Sequence, residues 1–138
     1  MFPIHKKGVA MLKARDIMTK TVSTIRSDQS LLDAMQLLVC KEISGLPVVD
    51  AKGKITGIVT EKDILNFVFS GNLKNTKVEE VMTKKVVCFP PEAEVDRIAL
   101  AIGKERFRRV PIVEGDHVVG IVSRRDILRA VLNIQCKI

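Results

Sequence analysis

Leu31, Ala34, Met35 and Leu38 recur at intervals of three and four residues, the spacing of one helix face, and predict an amphipathic helix over Ser30–Lys41 with Ser30 as its cap. Val95, Ile98, Ala99 and Ile102 draw the same stripe over Glu92–Glu105. Ahead of each lies a short helical turn, Ala14–Met18 or Val78–Met82, and then a brief strand, Val22–Thr24 or Val86–Cys88. Behind each helix comes a pair of apolar strands joined by a tight turn. In "VVDAKGKITGIV", residues 48–59, Gly53 can take a left-handed conformation, and in "IVEGDHVVGIV", residues 112–122, Gly115-Asp116 can do so. A last helix follows Thr60 and Ser123. Ile64, Leu65, Phe67, Val68 and Phe69 are apolar in one, and Ile127, Leu128, Val131 and Leu132 in the other. Each half of the chain therefore reads β-α-β-β-α, and the fold class is α+β.

The two halves are copies. Met18-Thr19-Lys20 matches Met82-Thr83-Lys84 at an offset of 82 − 18 = 64, and Pro47-Val48-Val49 falls on Pro111-Ile112-Val113 at the same offset. Farther along, "GIVTEKDIL" at 57–65 returns as "GIVSRRDIL" at 120–128, and the offset is 120 − 57 = 63. One residue has been lost in between, inside the hairpin turn. A turn tolerates such a loss, whereas a strand would have its inward and outward faces interchanged. The organisation expected is an N-terminal extension (1–13), a first repeat (14–70), a linker (71–77) and a second repeat (78–134). A copy of about 60 residues buries little core alone. Two copies packed about a pseudo-two-fold axis, as an intramolecular dimer, share one core and create the cleft between them twice.

The repeated phrase carries the candidate chemistry. Thr60-x-x-Asp63 and Ser123-x-x-Asp126 have capping-box spacing, and on spacing alone they need do no more than start a helix. The same geometry also suits a nucleotide. A helix N-terminus offers N–H groups and a positive dipole end to phosphate. A carboxylate one turn in accepts from the two hydroxyls of a ribose.

These motifs resemble a tandem pair of cystathionine-β-synthase (CBS) domains, the Bateman module. The resemblance rests on "DIMTKTV" and "EVMTKKV", on "SGLPVVD" and "RRVPIVE", and on the two repeated phrases, and it covers roughly residues 14–134. It implies an adenosine-containing ligand (AMP, ADP, ATP or S-adenosylmethionine) in each cleft, with Asp63 and Asp126 on the ribose and Thr60 and Ser123 near ribose and phosphate. Main-chain groups of the opposite copy are implied for the adenine. These are Thr19, Lys20, Thr21 and Val22 with Ile43, Ser44 and Gly45 at the Asp126 site, and Thr83, Lys84, Lys85 and Val86 with Phe107, Arg108 and Arg109 at the Asp63 site. The copies differ where Ser44-Gly45 aligns with Arg108-Arg109. In the family this position of the copy supplying the Asp faces the phosphates, so both arginines are also assigned to the Asp126 site. The family usually regulates an attached enzyme, channel or transporter. With only 13 residues before the module, this chain reads as a freestanding sensor that acts through a partner protein, as a homodimer.

Composition narrows the alternatives. With 46% hydrophobic and 28% charged residues, the chain is of globular type. Its net charge of +7 is spread evenly, +3 over 1–70 and +4 over 71–138, with no Trp or Tyr to stack on bases. Nucleic-acid binding through Arg106, Arg108, Arg109, Arg124, Arg125 and Arg129 of the basic second repeat is the alternative reading; a structural pair with empty sites is another. Cys40, Cys88 and Cys136 form no C-x-x-C, and only His5 and His117 could add ligands, so no metal site is expected. Cys40 and Cys88 are expected to be buried, inert thiols. No catalytic constellation is present. No apolar run approaches the roughly 18 residues of a membrane helix, and MFPIHKKGVAML lacks the apolar core of a secretory signal. A cytoplasmic protein is expected.

Overall fold

The computed structural model describes residues 12–69, 71–105 and 108–135. The elements run α1 (Ala14–Ile17), β1 (Ile25–Arg26), α2 (Leu31–Lys41), β2 (Gly45–Val49), β3 (Ile55–Thr60), α3 (Glu61–Phe67), a 3₁₀ turn (Val78–Glu80), α4 (Val95–Glu105), β4 (Arg109–Glu114), β5 (His117–Ser123) and α5 (Arg124–Gln135). They form two compact units. One is Ser23–Val86; the other joins the segment up to Val22 to the chain from Val87 onward.

In the Ser23–Val86 unit, β1, β2 and β3 make a sheet in that order, β1 parallel to β2 and β2 antiparallel to β3. Helix α2 lays its stripe on this sheet. Leu31, Ala34 and Leu38 are buried with Ile25, Leu46, Val48, Val59, Ile64 and Val78, and Met35 packs at the edge. Ser30 caps α2 by accepting from the Asp33 N–H at 3.1 Å, as its sequence position predicts. In the other unit β4 and β5 form the hairpin, and Val110, Ile112 and Val122 pack with Ala14, Ile98 and Ile102.

The hairpins explain the shifted offset. In the first, the Asp50 N–H donates to Lys54 O at 2.9 Å across three residues, with Gly53 at φ 85°. In the second, Glu114 pairs with His117 across two residues, Gly115 and Asp116, both at positive φ (56° and 70°), as a two-residue primed turn requires. The register shift between Val48 and Val49 recurs between Ile112 and Val113, so the strands themselves are conserved between the copies.

The short opening strands lie elsewhere than expected. Val22–Thr24 is not a strand. Pairing begins at Ile25, opposite Val48, because this register buries the Ile25 side chain. Val86–Cys88 is not one either; its counterpart is a single parallel bridge between Phe89 and Ile112. In the first copy the ladder continues through the Ser27 N–H to Val49 O at 2.8 Å. The corresponding position, 27 + 64 = 91, is Pro91, which has no N–H to donate. The second amphipathic helix starts at Val95, later than Glu92, because residues 91–93 are turn and bend.

Cys40 is exposed rather than buried, since it falls outside the Leu31–Ala34–Leu38 stripe of α2. Cys88 is half-buried, and burial pushes its thiol up from its ordinary pKa. Cys136 lies outside the described residues. A disulfide-exchange reagent at pH 8 should therefore modify Cys40 quickly, a phase that Cys40→Ser removes, and Cys88 only slowly. Equal rates for the two would contradict this placement.

Candidate functional site

Each unit joins the hairpin of one repeat to the opening segment of the other. Thr19 bridges Ile121 of β5, with its N–H 2.8 Å from Ile121 O and the Ile121 N–H 3.0 Å from Thr19 O. Thr83 bridges Ile58 of β3 in the same way, at 2.8 and 2.9 Å. The glycine of each repeated phrase makes these bridges possible. A Cβ on Gly57 would stand 2.7 Å from both Met82 Sδ and Thr83 O, and one on Gly120 would meet Met18. Glycine and methionine are thus used for packing in both copies.

The acids are built alike. Thr60 closes a capping box on α3: its N–H and Oγ1 lie 2.9 and 3.0 Å from Asp63 Oδ2, and the Asp63 N–H donates to Thr60 Oγ1 at 3.3 Å. Ser123 does the same on α5, with 2.8 and 3.0 Å to Asp126 Oδ2 and 3.1 Å for the return bond. One oxygen of each carboxylate is spent on the cap and the second, Oδ1, is not. Both readings of the spacing are therefore compatible with one side chain. Asp126 is buried, and Asp63 is half-buried beside a pocket of about 280 Å³ lined also by Asn66, Phe67, Glu80 and Val81.

The helix N-termini hold fewer free donors than their sequence suggests. The Glu61 N–H donates to Ser44 O and the Arg124 N–H to Arg108 O, both at 3.0 Å, and the third N–H of each helix is bonded within the capping box. An anion at the start of α5 would find two of those donors taken, which raises the weight of the side chains beside them: Arg109 is the β4 residue paired with Ser123, and Arg108 directly precedes it. In the Ser23–Val86 unit the corresponding rung is Gly45 opposite Thr60, preceded by Ser44.

The sequence-predicted residues fall as follows. Asp126, Ser123, Arg108, Arg109 and Thr19 to Val22 share one unit; Asp63, Thr60, Thr83 to Val86 and Ile43 to Gly45 share the other. Phe107, and the neighbouring Arg106, lie outside the described residues. Thr19–Val22 and Thr83–Val86 are thus in the same unit as the acid they were assigned to, whereas Ile43–Gly45, assigned to the Asp126 site, lie in the unit of Asp63, and Arg108 and Arg109, assigned also to the Asp63 site, lie in that of Asp126. The N–H groups of Thr19 and Thr83 are spent on their bridges, and that of Ile43 donates to Leu38 O at 3.1 Å. Lys20, Thr21, Lys84 and Lys85 are exposed, and Lys84 lines a second pocket, of about 600 Å³, with Ser27, Thr56, Glu79, Glu80 and Met82. Two neighbours of the acids were not assigned to the sites from the sequence, Arg129 having been named only as a candidate nucleic-acid contact. Asn66 lines the Asp63 pocket, and Arg129 donates to Asp126 Oδ1 at 3.4 Å. Each stands three residues beyond its acid on a helix, a spacing that could have exposed both.

Among the described residues no cluster of His, Cys, Asp and Glu could hold a metal, and no helix is long and apolar enough to cross a membrane. Comparison with known proteins agrees with this architecture. The inosine-5′-monophosphate dehydrogenase of Methanocaldococcus jannaschii is 36% identical over 121 residues, covering 87% of this chain but only 24% of the enzyme. The chain thus spans about a quarter of that relative's length. The crystal structure of the CBS domain pair of protein MJ0100, in complex with 5′-methylthioadenosine and S-adenosyl-L-methionine, superposes with a TM-score of 0.76 at 34% identity, covering 86% of this chain and 98% of that one. CBSX2 in complex with AMP gives a TM-score of 0.81 at 28% identity, covering 89% and 98%. The CBS domain family matches residues 14–70 and 78–133, and with two repeats carrying the same hairpin, cap and buried stripe, this chain belongs to the CBS-domain family as a tandem pair.

Proposed function

We propose that this CBS pair is a regulatory module that binds an adenosine-containing ligand, one of AMP, ADP, ATP or S-adenosylmethionine, and transmits its presence to a partner protein in the cytoplasm without transforming it. The observation that carries the reading is the doubled acid: Asp63 and Asp126 each commit Oδ2 to a cap and hold Oδ1 outside it, a carboxylate oxygen of the kind a ribose diol donates to. The ligands held by MJ0100 and CBSX2 share the adenosine that such an acceptor would grip. Site residues beyond the acids are Ser123, Arg108, Arg109 and Lys20 to Val22 with Asp126, and Thr60 and Lys84 to Val86 with Asp63.

A thermal-shift panel of AMP, ADP, ATP, S-adenosylmethionine, NAD and GTP tests the reading. A ligand at about 100 times its dissociation constant adds roughly 2.7 kcal/mol of stability. The adenosyl ligands should raise the melting temperature and GTP should not. A flat response across the panel, or sustained ATP hydrolysis lost in Asp63→Ala or Asp126→Ala, would reject it.

The module is further proposed to form a homodimer. Leu65 (68% exposed) and Leu128 (67%) are equivalent under the offset of 63, as are Phe69 (98%) and Leu132 (58%). Each copy therefore leaves the same pair of large apolar side chains, four residues apart, in water. Light scattering at micromolar concentration should give twice the chain mass, and Leu65→Glu with Leu128→Glu should return it to one. A monomeric wild-type protein would contradict the proposal.

A further inference from the structure

The two acids differ in what stands against their second oxygen. Asp126 Oδ1 accepts from Arg129 Nη1 at 3.4 Å, an i,i+3 ion pair on α5 whose carboxylate side is 9% exposed and whose guanidinium side is 64% exposed. At the corresponding place after Asp63, 129 − 63 = 66, stands the neutral, exposed Asn66. No bond from Asn66 to the Asp63 carboxylate accompanies the cap bonds there.

We propose that Arg129 is a specificity-determining residue of the Asp126 site: its guanidinium occupies the oxygen needed for a ribose diol, and the site selects ligands that bring an anion in exchange. The inference rests on the adenosyl-ligand reading above. A diol arriving at Asp63 meets an open acceptor, whereas one arriving at Asp126 must share or take the acceptor from Arg129. The exchange is feasible because the guanidinium end of the pair lies mostly in water, where an ion pair is weak and screened by salt. Once displaced, the guanidinium gains a new charge-assisted partner only if the ligand carries a phosphate, to which its fork geometry is well matched. AMP supplies that phosphate and adenosine does not. Ser123 holds Oδ2 throughout, so the carboxylate need not move.

Calorimetry with AMP and adenosine tests this. In an Asp63→Ala background, which isolates the Asp126 site, Arg129→Asn should tighten adenosine binding about two- to five-fold, the range expected for a screened ion pair. It should leave AMP no tighter, so the ratio of AMP to adenosine affinity falls, and Arg129→Lys should retain part of it. In the reciprocal Asp126→Ala background, Asn66→Arg should weaken adenosine at Asp63 by a similar factor. Without any ligand, the Arg129 guanidinium NMR signals should shift on Asp126→Asn. A ratio unmoved by Arg129→Asn while both ligands bind, or guanidinium signals indifferent to Asp126→Asn, overturns the inference alone. If neither ligand binds the wild-type protein, the adenosyl reading falls and this inference with it.

Discussion

Asp126→Ala is expected to abolish the tighter of two AMP-binding events, while Asp63→Ala leaves that event in place. Each acid keeps one carboxylate oxygen outside its cap, and at Asp126 a ribose must share that oxygen with Arg129, so a tighter event there has to come from the phosphate. Next to the Ser123 cap the chain carries Arg108 and Arg109; next to the Thr60 cap it carries Ser44 and Gly45. With the first and third N–H groups of each final helix already bonded, the backbone contributes little anion binding at either place. Guanidinium side chains decide the matter. A hydrogen bond to a charged group contributes about 1.5–3 kcal/mol, against roughly 1 kcal/mol for a neutral one, and each 1.4 kcal/mol is tenfold in affinity. Losing the Asp126 bond to ribose should therefore weaken AMP there by about 10- to 100-fold, enough that no event tighter than the one at Asp63 remains. Arg108→Ala with Arg109→Ala should weaken the same event and spare the other. Because Asp126 also caps α5, its removal costs about 0.5–2 kcal/mol of stability, so folding is checked by circular dichroism and titrations are run well below the melting temperature. If Asp63→Ala is the variant that removes the tight event, the phosphate does not sit with the second-repeat arginines.

Gly57→Ala should destabilise the protein by about 1–3 kcal/mol, the usual cost of overpacking a close contact, and by more than Gly120→Ala. The two glycines hold the same place in the repeated phrase, yet their surroundings differ. The new methyl at 57 would press on the Thr83 carbonyl at 2.7 Å as well as on Met82 Sδ. That carbonyl accepts from the Ile58 N–H at 2.9 Å and cannot withdraw without breaking the bridge. At 120 the methyl would meet first the side chain of Met18, Sδ and then Cγ at 2.8 Å, and these outer atoms of a methionine can turn aside. Urea unfolding midpoints measure the difference. Adding Met18→Ala should recover much of the loss in Gly120→Ala, whereas Met82→Ala should recover little in Gly57→Ala. Equal costs at the two positions, or full rescue at 57, would show that the carbonyl contact is unimportant.

The order of helices and hairpins, the α+β class, the cap at Ser30, the two hairpin turns and the family were legible in the chain, because each depends on local chemistry. Apolar spacing selects a helix face, and positive φ selects glycine or aspartate at a turn. A residue lost from a turn leaves the strands' register intact. Repetition strengthened every one of these signals, since each had to occur twice at one offset. What the chain by itself could not determine depended on partners distant in sequence. The parallel pairing with Val48 moved the first strand to Ile25, and Pro91 stopped its counterpart from continuing beyond the Phe89 bridge. Cys40 looked buried among apolar neighbours until the packing of α2 turned it to solvent. The family resemblance implied that each opening segment serves the other repeat, but the backbone bridges that hold it there, Thr19 onto Ile121 and Thr83 onto Ile58, came only from the fold. Only the tertiary structure decided which main-chain donors remain for a ligand and that Arg129 stands against Asp126 while Asn66 leaves Asp63 open. Local propensity is written in composition and spacing; the use of each hydrogen-bonding group is settled only when the chain has folded around it.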